Sequence, residues 1–218
     1  MENAAGLKAA LVDFDQTLVD LPVDWDRLRA DIAVLFAAYG INSTMRPLLS
    51  SLRKAFAELE ERGLTPGQRG SLRRKVNMLL NSAERDAAAR AKAMPGARSL
   101  VSALRANGML VIIQSSNCVR AIELALERTG LPAPDAIVGR QSARRVKPHP
   151  EGVRRALRRC GLKGSDCVVI GDGDFDVELG RTLGAVTVRL GEGRERADHT
   201  IASLSELPKA LLGRRAAA

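Results

Sequence analysis

The sequence predicts an α/β fold in two parts: a parallel β-sheet covered by helices on both faces, and an all-helical segment inserted after the first strand. Three observations carry this. Short apolar runs such as Met109–Gln114 (MLVIIQ) and Cys167–Gly171 (CVVIG) read as buried strands. Each is followed by a helical period, and strands alternating with helices imply βαβ units and a sheet buried on both faces. From residue 19 to residue 94 only the helical period occurs. The expected organisation is therefore a core of residues 1–18 and 95–218 carrying a helical domain of residues 19–94.

Lys8–Phe14 reads as the first buried strand. Trp25, Leu28, Ile32, Leu35 and Phe36 then recur at helical spacing, and Gly40 is a stop. Ser43 is placed to cap a second helix bearing Met45, Leu48, Leu49, Leu52, Phe56 and Leu59 and ending at Gly63. Thr65 and Pro66 suit the N-cap and first position of a third helix, with Leu72, Val76, Leu79 and Leu80, running to about Met94. Pro95-Gly96 is a break. Helices are then expected over Ala97–Ala106, Cys118–Thr129, Pro150–Cys160, Phe175–Leu183 and Ser203–Leu212, and further strands over Asp135–Gly139 and Ala185–Leu190. The tail Arg214–Ala218 is expected to fray.

Composition narrows the class. The chain has 218 residues, 45% of them hydrophobic, and only 3% aromatic, so aliphatic side chains must fill the core. No apolar run reaches the roughly 18 residues of a membrane span, and the start, MENAAGLKAA, lacks a signal peptide's apolar segment. Cys118, Cys160 and Cys167 have no metal-site spacing and fit packing roles in a reducing, cytoplasmic setting. The net charge of +9 points to an anionic partner or to arginine-rich compositional bias. Nucleic-acid binding would require stacking aromatics or a recognisable module, and neither is present.

The chemistry-bearing residues fall at strand ends, where open parallel sheets bind ligands. Asp13 and Asp15 follow the first strand, and Ser115, Ser116 and Asn117 the second. Lys147 follows the third after a loop, and Asp172 and Asp176 follow the fourth. Carboxylates gathered at one crevice repel one another, and a divalent cation removes the conflict; an all-oxygen set suits magnesium. Such a cation can hold a phosphate, with hydroxyl and ammonium groups taking its remaining charge. One carboxylate can then attack phosphorus while a second moves the proton. Taken singly, each group has a plainer role as a helix cap, turn residue or loop lysine.

Four stretches, DFDQT (Asp13–Thr17), QSSN (Gln114–Asn117), VKPHP (Val146–Pro150) and GDGDFD (Gly171–Asp176), stand in one order along nearly the whole chain. In this the sequence resembles the haloacid dehalogenase-like superfamily, in its phosphatase branch with a helical cap after the first strand, and is phosphoglycolate phosphatase-like. The resemblance implies a Rossmann-like core, Mg2+ as cofactor and a small phosphorylated metabolite as substrate, acted on by a monomer or homodimer. It implies Asp13 as nucleophile and metal ligand, and Asp15 as general acid/base whose main-chain carbonyl also binds the metal. Asp172 and Asp176 would complete the metal site, Lys147 would bridge nucleophile and phosphate, and Thr17 would steady the first loop. Ser115 or, one register on, Ser116 would bind the phosphoryl group beside Asn117. Gln16, beside the nucleophile and facing the cap hinge, stands where the family often has glycine, and Gly173 replaces a common serine.

Other readings remain open on these residues. A phosphomutase or other phosphotransferase shares the motifs. A phosphonatase or dehalogenase is disfavoured because, by resemblance, those branches replace the second aspartate; Lys54 is the one cap lysine offered for a Schiff base. A basic binding protein without catalysis would use Arg140, Arg144, Arg145, Arg154, Arg155, Arg158 and Arg159, of which the last four read as a solvated helix face. Asp174, His149 and His199 read as solvated or structural. Trp25 and Tyr39 read as packing the helical domain, with Trp25 also a candidate for lining a substrate cavity.

Overall fold

The computed structural model describes residues 6–143 and 145–207. In chain order the elements are β1 (Ala9–Val12), β2 (Val19–Asp20), α1 (Trp25–Ala37), α2 (Leu48–Glu61), α3 (Pro66–Ala88), β3 (Lys92–Ala93), α4 (Ala97–Ala106), β4 (Leu110–Gln114), α5 (Val119–Thr129), β5 (Ala136–Val138), α6 (Glu151–Arg159), β6 (Cys167–Gly171), α7 (Asp174–Leu183), β7 (Val186–Leu190) and β8 (His199–Ile201). The chain divides into two compact units: Pro22–Ala87, and the segments on either side of it.

The flanking unit is built on a six-stranded sheet in the order β5–β4–β1–β6–β7–β8, parallel throughout. Ala9, Ala10, Leu11 and Val12 of β1 are wholly buried because strands flank them on both sides and helices cover both faces. Leu11, Ile112 and Val169 meet Val153, Leu157 and Leu179 of α6 and α7 in one apolar cluster. Helix α7 ends as a buried helix must turn, on Gly184 at φ 69, a left-handed position where a Cβ would strain the backbone.

The inserted unit holds α1, α2 and all but the last residue of α3. Its core joins Leu28, Ile32, Phe36, Leu52, Phe56, Leu59, Leu72, Val76 and Leu80. Phe36 and Phe56 pack edge to face with ring centroids 5.2 Å apart, and the Arg73 guanidinium stacks on Phe56. Thr65 opens α3 as the sequence suggests: its hydroxyl accepts the Gln68 N–H and the Gln68 side chain accepts the Thr65 N–H, a capping box.

Several expectations change. The Ser43 hydroxyl accepts the Met45 N–H within a turn, and α2 begins five residues later behind Pro47, so Ser43 is not its N-cap. Helix α3 stops at Ala88 instead of running to Met94. Lys92–Ala93 then pairs antiparallel with Val19–Asp20, placing both two-residue strands outside the inserted unit. Strand β8 is an addition. Of the final helix expected over 203–212, the described part is a 3-10 turn over Leu204–Glu206; the remainder, the tail 214–218 and Arg144 lie outside the described residues. Tyr39 lies just beyond the end of α1 and is exposed, outside the buried core. Cys118 and Cys167 are buried, Cys160 is exposed, and burial pushes the Cys167 thiol up to about 11. Among the described residues no helix is long and apolar enough to cross a membrane.

Candidate active site

Register brings the site together. Val12 of β1 lies opposite Ile113 of β4 and Ile170 of β6, so the residues that follow these strands emerge at one edge. The Asp13 N–H donates to Ile170 O (2.8 Å) and the Ser115 N–H to Val138 O (2.9 Å), extending the ladders to the point where the chains part.

At that edge one carboxylate oxygen from each of Asp13, Asp172 and Asp176 lies within 4.8 Å of the others. Asp13 and Asp176 are buried, Asp172 half-buried. Asp176, in the first turn of α7, accepts from the Gly173 N–H (3.1 Å) and the Gln114 amide (2.6 Å). Gly171 makes this approach possible: a Cβ there would land on the Asp176 carboxylate. Lys147 donates to Asp13 and, at 2.9 Å, to Asp176. Thr17, wholly buried, donates to Asp172 (3.0 Å) and lies 3.5 Å from Asp13.

The charges explain the titration. Burial pushes the Asp13 carboxyl up to about 8; the Lys147 ammonium opposes this and the Asp176 charge reinforces it. Burial also disfavours the Lys147 ammonium, yet Asp13 and Asp176 together hold it charged well above the usual lysine range. Three carboxyl groups thus face one ammonium in a poorly solvated place, and a bound cation would favour their ionised forms. The donor set is all oxygen, which fits a hard divalent cation such as Mg2+ held by Asp13, Asp172 and Asp176.

Asp15 stands apart from this cluster. Its carboxylate accepts from the Leu21 N–H (3.1 Å), and burial pushes its carboxyl up to about 6. Ser115 is buried; its hydroxyl donates to Asn117 Oδ1 (2.7 Å) and accepts the Asn117 N–H (3.1 Å). Ser116 is half-buried, and its carbonyl accepts from Arg140 (2.9 Å), which ties the residue-140 loop to the β4 end. Arg140, Arg145, Lys147 and His149 line a shallow recess beside Gln114 and Ser115. Arg154 and Arg155 are exposed and donate to the Thr182 and Ser142 carbonyls; Arg158 and Arg159 are exposed. His149 accepts the Glu151 N–H, and His199 is exposed on β8.

One pairing escapes the sequence reading. Asp174 is partly solvated, as the sequence suggests, but it is also paired: its carboxylate accepts from the Glu195 and Arg194 N–H groups and from Arg189 (2.7 Å), which hold its carboxyl below the usual range. Arg189, buried on β7, is its partner. The signal was present in AVTVRL, where Thr187 and Arg189 place two polar groups on one face of a buried strand.

A model of the haloacid dehalogenase-like hydrolases matches residues 7–184. Phosphoglycolate phosphatase of Nitrosospira multiformis is 27% identical over 219 residues, covering 93% of this chain and 95% of its own. The enzyme of the same name from Synechococcus elongatus is 26% identical over 215 residues, covering 94% and 96%. Among solved structures, a haloacid dehalogenase-like phosphatase from Thermococcus onnurineus superposes with a TM-score of 0.64 at 23% identity, covering 96% of this chain and all of that one, a likeness of fold. With the motif-bearing strand ends, the sheet order and the full-length relatives in agreement, the chain belongs to the haloacid dehalogenase-like hydrolases and is an enzyme of their phosphatase branch.

Proposed function

We propose that the protein is a Mg2+-dependent phosphatase that hydrolyses a small-molecule phosphomonoester through an aspartyl-phosphate on Asp13. The observation that carries the reading is the meeting of Asp13, Asp172 and Asp176 with Lys147 at one sheet edge. Asp13, Asp172, Asp176 and the Asp15 main-chain carbonyl would hold the cation, which when bound supplies positive charge to the phosphoryl oxygens.

The chain's own groups do the rest. Lys147 holds the phosphoryl oxygens, and the Ser115 hydroxyl joins it by turning its one proton from Asn117 Oδ1 to the phosphoryl group while still accepting the Asn117 N–H. A carboxylate oxygen of Asp13 attacks phosphorus and the bond from phosphorus to the ester oxygen breaks. The Asp15 carboxyl, outside the carboxylate cluster, gives its proton to the departing alcohol. The same group, now ionised, takes a proton from water as that water attacks phosphorus, releasing phosphate and restoring Asp13.

The relatives' names make phosphoglycolate the first substrate to test. The purified protein is expected to release phosphate from an aryl phosphate with added Mg2+, to stop with a chelator, and to lose turnover in Asp13→Asn. Unchanged turnover in Asp13→Asn would reject the nucleophile. Transfer of phosphate to a sugar without release would instead indicate a phosphotransferase.

A further inference from the structure

We propose that Arg189 is a positioning residue for the metal site, acting through the Asp172–Asp174 loop. Arg189 lies opposite Gly171 in the β6–β7 register, so its guanidinium reaches the carboxyl end of β6. One of its nitrogens donates to the Asp172 main-chain carbonyl (3.1 Å), the other to the Asp174 carboxylate (2.7 Å). The residue is 5% exposed, and its buried Nε finds no acceptor. A buried arginine with an unmet donor is a costly way to fill a core, since an apolar side chain of similar volume would pack at less expense. What it provides is a planar fork that pins both ends of the turn from β6 into α7.

The fork is itself fixed. Asp174 also accepts the Arg194 and Glu195 N–H groups, so the loop between β7 and β8 is fastened to the same carboxylate. Gly193 lies against the guanidinium so closely that a Cβ there would overlap it. Asp172 thus has its main chain held by Arg189 and its side chain by Thr17. Groups of this kind set the direction of a ligating carboxylate and change metal affinity without touching the metal.

The inference rests on Asp13, Asp172 and Asp176 holding Mg2+. The test is calorimetric titration of the full chain with Mg2+, alongside thermal melts of the metal-free protein. Arg189→Lys keeps the charge and loses the fork. Asp174→Asn keeps an acceptor for the two N–H groups and removes the charge that anchors the guanidinium. Both are expected to bind Mg2+ about 10- to 100-fold more weakly than the parent, while still melting cooperatively, and to need correspondingly more Mg2+ for half-maximal turnover. A folded variant that binds Mg2+ as tightly as the parent overturns the inference; if Arg189→Lys does not fold, Asp174→Asn decides alone. A parent protein that takes up no Mg2+ overturns the metal reading itself, and this inference with it.

Discussion

Thr17 and Asp172, 155 residues apart in the chain, are joined by a 3.0 Å hydrogen bond from a wholly buried hydroxyl to a half-buried carboxylate. The bond ties the loop after β1, which carries Asp13, to the turn after β6, which carries Asp172 and leads into α7 with Asp176. Thr17→Val keeps the shape and removes the donor. It is expected to cost about 1 kcal/mol of stability, because Asp172 can still reach water, and to weaken Mg2+ binding severalfold. Thr17→Ser restores both. Mg2+ titrations of the two variants check this, and parental affinity in Thr17→Val would show that the hydroxyl does not set the geometry.

Among the described residues Lys147 is the one ammonium facing Asp13 and Asp176; both carboxylates are buried and the lysine side chain is 13% exposed. Lys147→Met removes the counter-ion of the buried Asp13–Asp176 pair. The metal-free variant is expected to be less stable by about 3–5 kcal/mol in urea unfolding. Mg2+ should return part of this, stabilising the variant more than the parent, since the cation substitutes for lost positive charge. An equal Mg2+ shift in both proteins would reject that account.

Gly171 is required by contact, not by backbone conformation. A Cβ at this position would occupy the place of the Asp176 carboxylate, which must then leave Gln114, Lys147 and the carboxylate cluster. Gly171→Ala is expected to lower turnover by about 100-fold or more, in line with displaced metal ligands, while circular dichroism remains that of the parent. Turnover within about threefold of the parent would mean that Asp176 relaxes without consequence.

The sequence makes some of this legible and hides the rest for definite reasons. The strands that run through the sheet centre are continuous apolar runs, and the abrupt change from Leu11-Val12 to Asp13 or from Ile170-Gly171 to Asp172 marks a chain leaving a core for a polar edge. The paired strands β2 and β3 have two residues each, too few for any period. Gln16 is visible as an unusual residue, but not its left-handed backbone at φ 63, nor the 3.1 Å bond from its amide to Asp20. Arg189 is visible as a polar residue in a buried strand, but its pairing is hidden, because Asp174 opens a different element and Arg194 and Glu195 lie in a loop, where spacing carries no information about contact.

The second polar residue of β7, Thr187, has an equivalent dependence on a loop, and it is read by pH. Its N–H and hydroxyl donate to Asp198 at 2.8 and 2.7 Å, and its hydroxyl accepts the Asp198 N–H. These bonds, the hydroxyl's foremost, hold the Asp198 carboxyl below its ordinary 3.8. The folded protein therefore binds this proton less readily than the unfolded chain does. The stability that follows is full above about pH 4 and is lost as pH falls through the depressed folded value. Asp198→Asn removes the titration. The variant should be less stable than the parent near neutrality, and the gap between them should narrow as pH falls below about 4. Urea unfolding of both proteins across that range measures the gap, and a gap that does not change with pH would mean that the Thr187–Asp198 bonds hold the loop without favouring the ionised carboxylate.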